Sequence, residues 1–113
     1  MSNDSLNLRE VREFLEAFAV ERGWVKYHTP KNLAMALAAE AGELLEIFQW
    51  MTPGECMNLT AQQRIHAGEE LADITIYALR LFDVLGIDPE SAVIDKIGKN
   101  GRKYPSGKRS GVE

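Results

Sequence analysis

The chain has 113 residues, 45% of them hydrophobic and 27% charged, and a net charge of −4 at pH 7. That length suits one domain with a single modest core, and the acidic balance argues against nonspecific nucleic-acid binding, which needs a basic surface. No apolar run approaches the roughly 18 residues of a membrane span; the N-terminus lacks the pattern of a signal peptide, and the lone Cys56 can form no internal disulfide, so a cytoplasmic location is expected.

Four helices are predicted in chain order. Leu8, Val11, Leu15 and Phe18 recur at helical spacing, and Gly23 closes this first segment. Thr29-Pro30 opens a second helix, with threonine as cap and proline at the first helical position. It runs to about Met51 and stops before Thr52-Pro53-Gly54. Thr60 and Gln63 have capping-box spacing and open a third helix, which Gly86 ends in a left-handed cap after Leu85. Asp88-Pro89 starts the fourth, which ends near Asn100-Gly101. No segment alternates like a strand, so the expected fold is an all-α, four-helix antiparallel bundle. Residues 1–104 form the expected domain and 105–113 a flexible tail. The third helix is apolar over most of its circumference between Leu71 and Leu85, more than three neighbours can cover, which predicts a partner subunit identical to the first.

The acids interrupt these apolar stripes. On the second helix the row Leu33, Leu37, Glu40, Leu44, Ile47 contains Glu40, and Glu43 lies one turn away on the same face as Trp50. On the third, Glu70 aligns with Ile74, Tyr77 and Leu81, with Asp73 at the edge of that row. Each helix thus offers an i, i+3 acid pair. If the two helices face each other, four carboxylates surround one volume, an arrangement that repels itself unless a cation intervenes. All-oxygen donors suit Mg²⁺, Mn²⁺ or Ca²⁺. A di-iron carboxylate site would need Glu-x-x-His on two helices, and neither His28 nor His66 completes that spacing. Spacing alone leaves open whether the pairs are solvated helix faces or a metal site. The basic run Lys96, Lys99, Arg102, Lys103, Lys108 and Arg109 contains no acid. It could contact an anion that shares the cation, or be a solvated segment.

The blocks "FAVERGW", "HTPKNLAMAL", "EAGELLEIFQW", "EELADITIYALRL" and "KIGKNGRKYP", in this order over Phe14 to Pro105, resemble the MazG-like all-α nucleoside triphosphate pyrophosphatases, most closely their dCTP-pyrophosphatase-like branch. The resemblance implies a dimer or dimer of dimers and Mg²⁺-dependent cleavage between the α- and β-phosphates of a nucleoside triphosphate, with Mn²⁺ a possible substitute. It implies Glu40, Glu43, Glu70 and Asp73 as metal ligands, and Trp24, Trp50 and Tyr77 around the nucleotide. Lys96, Lys99, Asn100, Lys103 and Tyr104 match a phosphate-contacting segment, with Lys31 a further phosphate candidate. Glu43 or Glu46 is the expected general base. Leu15 stands where some members carry a histidine, which leaves the base open among dCTP and related nucleotides. The competing expectation is a non-catalytic oligomeric module that binds nucleotide or metal.

Overall fold

Asn7, Thr29, Thr52, Thr60 and Asp88 each sit in extended conformation just before a helix, and each side-chain oxygen accepts a hydrogen bond from the backbone N–H three residues on. These caps satisfy donors that a helix start leaves without partners. They divide residues 7–106, which the computed structural model describes, into α1 (Leu8–Glu21), α2 (Pro30–Phe48), α3 (Pro53–Met57), α4 (Ala61–Leu85) and α5 (Pro89–Lys103), with a 3₁₀ turn at Val25–Tyr27. No strand occurs among the described residues. Most of the expected tail, residues 107–113, lies outside them, as do Lys108 and Arg109.

Two boundaries differ from expectation. The second helix stops at Phe48 rather than near Met51, because Thr52 begins a separate one-turn helix, α3, through a reciprocal capping box with Glu55. Thr52-Pro53 therefore starts an element as well as ending one. The last helix passes through Gly101 to Lys103, closed by the Tyr104 N–H donating to the Asn100 carbonyl at 2.8 Å. Arg102 and Lys103 occupy its last turn, where cations meet the negative end of the helix dipole.

The long helices align antiparallel around α4. Arg12 of α1 pairs with Asp83 at 2.6 Å, and Glu16, one turn later, pairs with Arg80, one turn earlier. On the other side Glu43, Glu46 and Ile47 near the end of α2 share a groove with Gln63, His66 and Glu70 near the start of α4. The buried apolar residues, Ala19, Leu33, Ala67 and Leu79, lie on these three helices. Helix α5 borders a groove with Leu8 and α4, lined by Ile74, Phe82, Pro89 and Val93.

The single chain leaves much of its apolar surface uncovered. Leu45, Ile65, Leu71, Ile94 and Ile97 are all more than half exposed. The radius of gyration is 17.1 Å, against about 13 Å for a compact domain of roughly 100 residues. The third predicted helix, α4, is buried along one side only: Leu79 is covered while Ile76, Val84 and Leu85 are not.

Candidate active site

Glu40 and Glu43 lie one turn apart on α2, and the antiparallel pairing brings Glu70 of α4 opposite them. One carboxylate oxygen from each of the three lies within 4.8 Å of the others. Glu70 is buried and Glu40 partly so, while Glu43 is exposed at the rim. Oε2 of Glu40 and Oε2 of Glu70 are enclosed with no hydrogen-bond partner, a cost of about 1–3 kcal/mol for an ordinary polar group and more for a charged one. His66 Nε2 stands 3.7 Å from Glu70 Oε1. Glu46 and Gln63 line the same groove.

This crowding shifts proton affinity. Hydrogen bonding to Glu70, then to Glu43, then burial, pushes the Glu40 carboxyl up to about 7 from 4.5. The folded chain therefore holds this proton where the unfolded chain has released it. The group's contribution to stability is full below its unfolded pKa and is lost as pH rises through about 7. Metal-free protein is expected to melt at lower temperature at about pH 8 than at about pH 5. Glu40→Gln should flatten that part of the profile, and added Mg²⁺ should raise the melting temperature at the alkaline end; differential scanning calorimetry in EDTA and in Mg²⁺ reads all three.

Beside the acidic groove a second cavity opens between α1, the 3₁₀ turn and α4, lined by Phe14, Phe18, Trp24, His28, Tyr77 and Arg80 among others. Local backbone signals build it. Gly23 adopts φ 67°, which lets the Trp24 N–H reach back to the Ala19 carbonyl at 2.9 Å. That closure turns the chain so that the Trp24 ring meets Phe18 edge-on at 5.6 Å between centroids. The 3₁₀ turn then delivers His28, 6.5 Å from Trp24, immediately before the Thr29 cap. Arg22 lies over the Phe18 ring, 3.3 Å from its centroid.

Asp73 is not in the tight group of three; one turn beyond Glu70, it lines the aromatic cavity with Tyr77. Leu15 lines this cavity too. Of the other candidates, Trp24 and Tyr77 are on its wall, whereas Trp50 is 87% exposed beyond the end of α2. Lys31 is exposed in the first turn of α2. Lys96 and Lys99 line a separate hollow with Asp88 and Asp95, Asn100 and Lys103 are exposed, and Lys103 Nζ lies 5.2 Å from the Tyr104 ring centroid. The sequence reading missed Arg80, whose position in the apolar "YALRL" run was its only signal, and considered His28 only to set aside a di-iron site.

Three carboxylates converging across two helices, beside an aromatic cavity, define an all-α protein with a potential hard-cation site next to an apolar pocket. The chain belongs to the MazG-like family, whose model matches residues 35–113. It is 40% identical to human dCTP pyrophosphatase 1 over 101 residues, 88% of this chain and 59% of that protein. Rat dCTP pyrophosphatase 1 is 39% identical over 100 residues, with 87% and 59% covered. The chain thus spans about three fifths of the length of these curated relatives. A crystal structure of a pyrophosphatase from Archaeoglobus fulgidus superimposes with a TM-score of 0.84 at 43% identity, covering 94% of this chain and 99% of that one.

Proposed function

We propose that the protein is a Mg²⁺-dependent nucleoside triphosphate pyrophosphohydrolase that releases a nucleoside monophosphate and pyrophosphate, with dCTP or a related pyrimidine deoxynucleotide preferred. The observation that carries this reading is the cluster of Glu40, Glu43 and Glu70, with two buried oxygens lacking partners, beside the cavity of Trp24 and Tyr77. The names and identity levels of the relatives support the substrate class. The donor set fits a hard divalent ion: all ligands are carboxylate oxygens, and the two orphaned atoms are acceptors waiting for a positive partner. Glu40, Glu43 and Glu70 would hold it, with Asp73 reaching from the cavity side.

When bound, such an ion would supply positive charge for the triphosphate and make the attacking water more acidic. The chain's own residues divide the remaining tasks. Trp24 offers a face for the base, worth about 1–3 kcal/mol in stacking, and Tyr77 offers a hydroxyl at the same wall. Glu46, or Glu43 at the rim, takes the proton from water as its oxygen attacks the α-phosphorus. The bond from that phosphorus to the oxygen bridging the β-phosphate breaks, and pyrophosphate leaves with the electron pair. Lys96, Lys99, Asn100, Lys103 and Tyr104 would neutralise that charge. They border neither the groove nor the cavity of their own chain, and Trp50 lacks cover, so this role fits a dimer or dimer of dimers in which a second copy closes the site. The exposed apolar residues of α2, α4 and α5 favour the same assembly. This reading includes a cytoplasmic role in clearing unwanted deoxynucleotides, without a nucleic-acid or membrane partner. Among the described residues no helix is long and apolar enough to cross a membrane.

The test is a panel of deoxynucleoside triphosphates incubated with Mg²⁺, Mn²⁺ or EDTA, with products separated by ion-exchange chromatography. Equimolar monophosphate and pyrophosphate, fastest from dCTP and absent in EDTA, is the expected result. Binding without turnover on every nucleotide would instead identify a non-catalytic module.

A further inference from the structure

Arg80 is a cation that the proposed chemistry does not use. It is 3% exposed, in the last third of α4, and forms part of the aromatic cavity's wall. Its Nη1 donates to Glu16 Oε2 of α1 at 2.5 Å, and its Nε donates to His28 Nδ1 at 3.3 Å. Arg80 is buried while its partner Glu16 is half exposed, so the guanidinium carries the desolvation cost and meets a solvent-weakened countercharge; leucine or methionine would fill the same space at less cost. The second hydrogen bond shows what the charge can do. An imidazole nitrogen that accepts from a guanidinium N–H carries no proton, so the neutral ring must carry its proton on Nε2. Burial, then the positive charge of Arg80, lower the proton affinity of His28, against the opposing pull of Glu16. The charged groups acting on this ring are Arg80 from α4 and Glu16 from α1, and Asp73 of α4 lines the same cavity.

We propose that Arg80 is a positioning residue for base recognition: anchored by Glu16, it holds His28 in the single tautomer whose Nε2–H is a donor for the aromatic cavity, which then favours a pyrimidine edge presenting an acceptor, a keto oxygen or an unprotonated ring nitrogen. Phe14, Leu15, Phe18 and Ile76 on the cavity wall are apolar and Asp73 only accepts when ionised; the other donors there are the Trp24 indole N–H, the rotatable Tyr77 hydroxyl and the remaining Arg80 N–H groups. A ring free to exchange tautomers would offer donor and acceptor alternately and discriminate less. This inference rests on the reading of that cavity as the base site.

The test joins long-range ¹H–¹⁵N NMR of the imidazoles in the full chain with steady-state kinetics on dCTP. His66, in the acidic groove, is the internal reference. Wild-type His28 should show one tautomer, protonated at Nε2; a mixture, or a proton on Nδ1, overturns the assignment without any variant being needed. In Arg80→Met the lock should be lost and KM should rise about 3- to 10-fold, the value of one hydrogen bond, with kcat little changed. Arg80→Lys, which retains a donor, should recover part of the loss. Glu16→Gln weakens the anchor without emptying the cavity, and should loosen the tautomer in the same direction if the methionine variant does not fold. Loss of the lock with KM unchanged overturns the recognition role. Failure of the active-site reading shows separately, as absence of pyrophosphate from the wild type, whereas a wrong tautomer overturns the Arg80 assignment alone.

Discussion

Glu70→Gln is expected to lower kcat/KM on dCTP by at least about 10³-fold, since the variant would lose one ligand of the proposed divalent ion and with it several kcal/mol of transition-state stabilisation. The same substitution should make the metal-free protein more stable. Glu70 is buried against Glu40 with an oxygen that lacks a partner. A glutamine of the same shape removes a like charge and brings an amide that can donate to Glu40. Relief of about 1 kcal/mol would raise the melting temperature by about 4–8 °C in a domain of this size. Mg²⁺ should then stabilise the wild type strongly and the variant weakly, because stabilisation by a ligand follows its affinity for the folded state. Isothermal titration calorimetry and melting curves in EDTA and Mg²⁺ separate the two effects. A variant both inactive and less stable without metal would mean that Glu70 serves packing rather than cation binding.

Much of this site was legible before the fold. The i, i+3 spacing of Glu40 with Glu43 placed that pair on one face of α2, and capping signals fixed the starts of α2, α4 and α5, whereas the Asn7 cap of α1 went unread. That the second helix faces Glu70 depends on the antiparallel register, which short connections favour but do not specify. Asp73 shows the limit. Periodicity put it with Glu70, yet a three-residue step turns a helix by about 300°, enough for Asp73 to open on the neighbouring cavity. The α3 helix was equally visible in principle, since Thr52 and Glu55 repeat the capping-box spacing read at Thr60 and Gln63. Pro53-Gly54 masked it by resembling a simple stop. Arg80 was not legible at all: a cation in an apolar run gives no sign of whether it reaches solvent or is buried on an acid 64 residues away.

Trp24 and Trp50 carry equal weight in the sequence, but the fold separates them, and their alanine variants should differ accordingly. Trp24 meets Phe18 at 5.6 Å and His28 at 6.5 Å on the cavity wall. Trp24→Ala should raise KM for dCTP by about 5- to 150-fold, the range set by 1–3 kcal/mol of base stacking. It should leave kcat within a few-fold, because stacking acts alike on substrate and transition state. Trp50, 87% exposed, packs on almost nothing in its own chain. Its removal should change the unfolding free energy of the single chain by no more than about 0.5 kcal/mol, as for other surface positions. An indole that exposed is costly for a protein to present to water, so its use must come from outside the chain, either from substrate or from a second copy. Analytical ultracentrifugation of Trp50→Ala distinguishes these: weakened self-association assigns the ring to the subunit contact, and unchanged association with a raised KM assigns it to the nucleotide. Equal KM increases from the two variants, with assembly intact, would mean that both rings touch the base and that the pocket extends past the walls one chain provides.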